Sequence, residues 1–415
     1  MPTVANLLMT GPPDFRYTDG LTAFSPAPFF MAKYIPTLQA TLETYQQWRV
    51  AQQQLSRAIK PDMARTVAFC GWMPPSTIAA SLSLYARGYE TAPADLAAAV
   101  KAGEVVNVRT VRGRRFLVER SMVPYAVAAV RDQMSRRRRP LWNNLGVDEA
   151  AKRRVEAEML TFLGDGKHPV HAKLPRAWTE PFPPALQREA GNHATPAALL
   201  LAEMEESGLI HDQDGDYALF EKRFPDLVRP VDIDQAEARK KLTERFFAWG
   251  NVANAEDLAW WGGWTKRISE LLLSSGELPL SNLVLSGSKA SGLMVHSQFT
   301  DALHTLKPER EGPAYLVPAR DPFFQHMPNF LGRISTPEQQ GAIFKKDSSS
   351  PRALVIERGR AVATWNWSGT DIEWKAVVRI DPALRKRIQA AADRTKEWIQ
   401  RELGDVSSEA ASGDT

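Results

Sequence analysis

The sequence predicts an α+β chain, mainly α, in which tandem winged-helix units are followed by a small β-barrel and a C-terminal helix. Three observations carry this expectation. Helical patterns followed by two short strand-like runs recur around 62–118, 183–220 and 240–297. From Gly312 the pattern changes to alternating apolar and polar positions typical of strands. One further helical pattern, at 382–403, precedes a polar tail.

The third unit is the most legible. It contains RFFAWGNVANAEDLAWWGGWTKRISELLLSS at 245–275. Phe246, Phe247 and Trp249 are the apolar mass closing its first helix. Asn254 can cap the second, because its side-chain oxygen can accept an orphan backbone N–H, and Glu256 and Asp257 then fall in a first turn that favours negative charge. Gly262 and Gly263 break the chain, and Thr265 can cap a third helix. Ile268, Leu271 and Leu272 are spaced to share one face, while Lys266 and Arg267 project from the first turn. Runs at 278–285 and 292–296 make the wing. The last helix of such a unit usually enters a groove of DNA.

Composition sets bounds. The 415 residues are 44% hydrophobic and 24% charged, enough for several domains with real cores. A net charge of +4 is mild, so any nucleic-acid contact depends on where the charge sits. Cys70 is the only cysteine, which excludes an internal disulfide and a cysteine-rich zinc module. The opening MPTVANLLMTGPPDF has no basic charge before its short apolar run, unlike a signal peptide, and no apolar run reaches spanning length. A cytoplasmic monomer without membrane contact is expected.

In chain order, 1–40 is a Pro- and Phe-rich arm, and 42–58 is a Gln-rich helix in which Gln52, Gln53 and Gln54 suit a solvated face. Helices at 63–69, 78–87 and 94–102 and strands at 105–110 and 116–118 build the first unit, within a domain at 41–163. Arg109, Arg112, Arg114 and Arg115 on its wing, with Arg136, Arg137, Arg138 and Arg139 beyond, suit a phosphate backbone, because guanidinium forks match phosphate oxygens and release counterions. A Pro/Gly linker opens the second domain, 164–236. There Thr195-Pro196 starts a helix at 197–207, and Asp214-Gly215 turns a hairpin. Its wing is acidic (Asp212, Asp214, Asp216) and a poor phosphate clamp. The third unit spans 237–305, the barrel 306–380, the last helix 381–404 and a frayed tail 405–415. His168 and His171 have no third ligand at a suggestive spacing, so neither a metal nor another cofactor is expected.

AEDLAWWGGWTKR closely resembles the last winged helix of the AlkZ-like DNA glycosylases. The resemblance extends over most of the chain through the helix containing Arg49, ASLSLYARG, ADLAAAVKAGEVVNVRTVRGRRFLV, ATPAALLLAEMEESGLI, AYLVPARDPFF and RALVIERGRAVATWNW. It implies a concave, positively charged surface for double-stranded DNA, alkylated or crosslinked, with Lys266 and Arg267 joining the arginines above. In the family a Gln-x-Gln or Gln-x-Asp motif precedes the helix ending Leu-Trp/Tyr-Ala-Arg. Counting back from Leu84-Tyr85-Ala86-Arg87 places Met73-Pro74-Pro75 there, and Phe116 stands where the family's Arg-Gly-Thr-x-His carries its imidazole. Neither Met nor Pro can position water through its side chain or take up a proton. Asp321, which matches the family's acidic strand end, is the remaining catalytic candidate. Three readings stay open: a glycosylase with a rebuilt site, a non-catalytic DNA-binding protein on the same scaffold, and an interaction protein with another partner.

Overall fold

The computed structural model describes residues 35–55, 63–131, 133, 142, 147–166, 178, 196–213, 215–324, 330–344, 352–368 and 371–404. Arg136, Arg137, Arg138, Arg139, His168, His171, Thr195, Asp214, the arm 1–34 and the tail 405–415 lie outside them. No helix among the described residues is long and apolar enough to cross a membrane.

Strand β1 (Thr37–Thr41) leads directly into helix α1 (Leu42–Gln52). Thr41 caps α1, its hydroxyl accepting the Thr44 N–H at 3.0 Å. The first unit comprises α2 (Met63–Cys70), α3 (Thr77–Tyr85), α4 (Ala92–Lys101) and the hairpin β2 (Val105–Arg109) with β3 (Arg115–Glu119). Helix α5 (Val123–Ala128) follows the hairpin. Arg112 and Gly113 make the wing's turn, both at positive φ.

The second unit holds α6 (Glu149–Gly164), expected in the first domain but sharing a cluster with Leu200 and Leu201, together with α7 (Pro196–Ser207), β4 (Ile210–Gln213) and β5 (Asp216–Leu219). Gly208 ends α7 at φ +81°, and a Cβ there would meet Pro230 at 2.4 Å. Apart from Phe220 and Phe224, which join the main core, this unit buries its own cluster around Trp142, Val155, Met159, Leu200 and Leu201.

The third unit is α8 (Gln235–Ala248), α9 (Ala255–Gly262), α10 (Lys266–Ser274) and the wing β6 (Leu280–Ser286) with β7 (Leu293–His296). Its caps follow the sequence. Asn254 accepts the Asp257 N–H at 3.0 Å, and Thr265 accepts the Ile268 N–H at 3.4 Å. Two features differ from expectation. The end of the arm is not irregular, since β1 pairs in parallel with β6 from Thr37↔Asn282 to Thr41↔Ser286. The inward face of α10 keeps Ile268 and Leu272 against the core but not Leu271. Trp264 Nε1 donates to Ser269 Oγ at 2.8 Å; Ser269 and Leu273 are buried, and Leu271 is 63% exposed.

The predicted barrel is an open sheet among the described residues. Strands β8 (Ala314–Val317), β9 (Leu354–Glu357), β10 (Arg360–Ser368) and β11 (Asp371–Ala376) pair antiparallel in the order β11-β10-β9-β8. Helix α11 (Pro382–Glu402) packs against both outer strands, β8 and β11. It buries Leu384, Ile388, Ala391, Ala392, Thr395, Trp398 and Ile399, a stripe at three- and four-residue spacing. Each large aliphatic side chain so buried contributes roughly 1.5–3 kcal/mol.

His211 links the first two units. Its Nε2 lies 3.1 Å from the Asn107 carbonyl, which only a neutral or protonated ring N–H can satisfy, and its buried Nδ1 has no partner. Burial pushes its pKa down to about 4, from 6.5. As pH falls from 7 to 5, the unfolded chain takes up a proton that the folded chain refuses, so stability is lost across that window. The expected loss is roughly 2 kcal/mol. Urea unfolding at both pH values should show a steeper decline for the wild type than for His211→Gln; equal declines would remove His211 as the cause.

Candidate nucleic-acid interface

Four segments meet at one buried polar network. The guanidinium of Arg87, just beyond α3, grips Asp321 with both nitrogens, Nη1 at 2.7 Å from Oδ2 and Nη2 at 2.8 Å from Oδ1. Nη1 also reaches the Ser83 carbonyl at 2.6 Å, and Nη2 reaches Gln53 Oε1 at 3.3 Å. Gln53 Nε2 donates to the Trp249 carbonyl at 3.0 Å. From α1, Arg49 donates to the carbonyls of Gly250 at 2.7 Å and Phe323 at 3.2 Å. Burial lowers the Arg49 pKa to about 10, whereas at Arg87 burial is outweighed by the charge and hydrogen bonds of Asp321, which raise it.

Asp321 is therefore held in the core rather than on a groove. It is 0% exposed, and Oδ1 also accepts the Phe323 N–H at 2.7 Å. With its oxygens engaged by an arginine and a backbone amide, it is the anion of a structural pair. Gln53, expected on a solvated face, is also 0% exposed. Sequence periodicity gave no sign of this, since its partners lie far along the chain.

The segment aligned with the family's motif lies beside this network. Met73 is 0% exposed and forms an antiparallel bridge with Leu117, whose N–H donates to the Met73 carbonyl at 2.9 Å. The adjacent Trp72 ring packs 5.3 Å from Trp249, 5.8 Å from Trp261 and 6.1 Å from Phe116. These rings, with Arg112, Arg320 and Pro322, line a recess whose interior has room for little more than a water molecule. None of these seven lining side chains is a carboxylate, an amide or an imidazole.

The predicted clamp residues divide. Arg115 Nη2 contacts Glu205 at 2.7 Å and Asp212 at 2.6 Å, and Arg109 Nε contacts Glu205 at 3.0 Å and Glu206 at 3.8 Å. These two arginines are thus engaged by the second unit. Arg112 lies 4.1 Å over the Trp260 ring and abuts Gly263, where α9 ends. Arg114 lies close enough to Arg320 to feel its charge; burial, then that repulsion, lower its pKa. Lys266 and Arg267 are exposed at the start of α10, with Lys266 Nζ 4.0 Å from Glu270. Sequence reading missed Arg320, whose one signal is its place beside Asp321 in ARDPFF.

The fold and this face define a tandem winged-helix protein with an arginine-rimmed, aromatic-lined recess. Residues 74–401 match the family profile described as DNA glycosylase AlkZ-like, and the chain belongs to that family. Among solved structures it is similar to the Streptomyces sahachiroi DNA glycosylase AlkZ, with a TM-score of 0.70 and 16% identity over 88% of this chain and 98% of that one. No curated protein matches the chain.

Removing one partner of a buried ion pair leaves an uncompensated charge, at a cost of about 3–5 kcal/mol. Asp321→Asn should lower stability by that amount in equilibrium urea unfolding. A loss under about 1 kcal/mol would mean that the pair is not the anchor described.

Proposed function

We propose that the chain is a DNA-repair protein that binds alkylated or crosslinked duplex DNA on the glycosylase scaffold without excising a base at the family's usual position. The observation that carries this reading is the recess beside Met73: Met73 is fully buried and bridged to Leu117, and none of the side chains lining the recess is a carboxylate, an amide or an imidazole. The cations offered to DNA are Arg112, Arg114, Arg320, Lys266 and Arg267, acting as a single chain. Cleavage of a glycosidic bond develops positive charge on the sugar, which a site should meet with polar or negative groups. Here the charged side chains among the residues lining the recess are guanidiniums.

The second reading, a glycosylase with a rebuilt site, is favoured by membership of the family and requires a water-positioning group that Asp321 does not supply from inside its ion pair. The two are separated on duplex DNA carrying 7-methylguanine. The expected outcome is salt-sensitive binding with no released base above a buffer blank. Release that persists in purified protein would sink the non-excising reading. Met73→Gln with Pro75→Gln is expected to leave excision absent and to cost about 1–3 kcal/mol, because an amide replaces a fully buried thioether. Base release gained by the double variant, at unchanged stability, would instead show that the water-positioning groups alone had been lost.

A further inference from the structure

We propose that Leu271 reads the C5-methyl group of a pyrimidine in the major groove, with α10 as the helix that carries it there. The proposal deepens the DNA-binding reading above and rests on it. Its first support is that the fold leaves Leu271 unused. The other large apolar residues of α10, Ile268, Leu272 and Leu273, belong to the main core, whereas Leu271 joins none of the apolar clusters among the described residues. Of the four large apolar side chains that stand exposed among the described residues, it is the most exposed.

The second support is place. Helix α10 is nine residues long and begins three residues after Gly263, which abuts Arg112 at the tip of the first wing. Trp261, on the preceding helix, lines the recess. The helix therefore starts beside the recess, and it is the last helix of its winged unit, the one that enters a groove in helix-turn-helix proteins. The third support is the chemistry of its outward row. Leu271 follows Arg267 by one turn, so the two share a side of the helix. Lys266 has Glu270 at 4.0 Å, and the hydroxyls of Ser274 and Ser275 donate back to the carbonyls of Glu270 and Leu272 at 2.7 and 3.0 Å. The row thus turns outward one guanidinium and one branched apolar side chain. A lone leucine among charges and hydroxyls lacks the contiguous apolar patch that a protein partner requires. It matches the major groove, where base edges are polar and the methyl of thymine or 5-methylcytosine is the apolar feature. Closing on that methyl takes both groups out of water without burying a polar atom.

The test is fluorescence anisotropy of the full chain, over a range of salt, on two pairs of duplexes. The first pair is alternating A·T and alternating A·U, which differ only by the methyl. The second is a mixed-sequence duplex with cytosine and the same duplex with 5-methylcytosine. The wild type should bind A·T about fourfold more tightly than A·U, the effect of burying one methyl group. Leu271→Ala should bind A·T and A·U alike, with its salt slope unchanged because no charge is lost. Since Leu271 is exposed, this variant should unfold in urea as the wild type does, which separates a lost contact from a lost fold. Arg267→Gln should weaken binding to both duplexes and flatten the slope by about one, while keeping the preference for A·T. A matching gain on 5-methylcytosine identifies the methyl on either base, and no gain there identifies thymine; both support the assignment. A wild-type chain that binds A·T and A·U alike, or a Leu271→Ala chain that keeps the preference, overturns it and leaves the DNA reading standing. A wild-type chain that binds none of the four overturns the DNA reading and this assignment together.

Discussion

The Arg87–Asp321 pair is the constraint on which the rest of the molecule depends. Two full charges at 0% exposure are tolerated only when their hydrogen-bonding capacity is met nearby. Meeting it recruits Ser83, Gln53 and the Phe323 amide, and Gln53 in turn holds the Trp249 carbonyl. Helix α1, the first winged helix, the third winged helix and the loop after β8 are thereby fixed to one point. A second buried pair, Arg333 with Asp257 at 2.6 Å, ties α9 to the segment that follows β8 in the chain. Apolar packing alone is non-directional; these pairs give the shared core its registry.

That registry explains why the recess exists and what it contains. With the Asp321 loop anchored, Arg320 is set opposite the tip of the first wing. Trp72, Trp249 and Trp261 then fill the space between the first and third units, in edge and tilted contacts that aromatic rings favour. The corner beside Met73 is an aromatic wall under guanidiniums.

The second winged unit contributes charge of the opposite sign. Glu205 and Asp212 neutralise Arg109 and Arg115, so the first wing is basic only at its tip. Burial raises the Glu205 carboxyl pKa against the pull of Arg115 and Arg109. Glu205 and Glu206 at the end of α7, with Asp212 of the wing, thus dock this unit through an ion-pair cluster alongside Phe220 and Phe224.

Local chemistry was readable from the sequence alone. The Asn254 and Thr265 caps, the Gly263 break, the hairpins and the final helix all depend on residues within a turn or two of one another, and each formed as its residue types require. The order of motifs pointed to the family, and counting back from Leu84-Tyr85-Ala86-Arg87 set Met73-Pro74-Pro75 on its motif; that Met73 bridges Leu117 came only from the structure. The fates of the charged residues were not readable. Asp321 looks the same in sequence whether it faces a groove or an arginine 234 residues away. Arg109 and Arg115 look like phosphate ligands until a segment 90–97 residues distant supplies their carboxylates. Ile268 and Leu272 of the expected stripe pack against the core, whereas Leu271 is left exposed and Ser269, bonded to Trp264, is buried in the same helix. Periodicity and capping are short-range rules, whereas desolvation and ion pairing are settled by whichever group the folded chain brings within a few ångströms, and only the tertiary structure decided that.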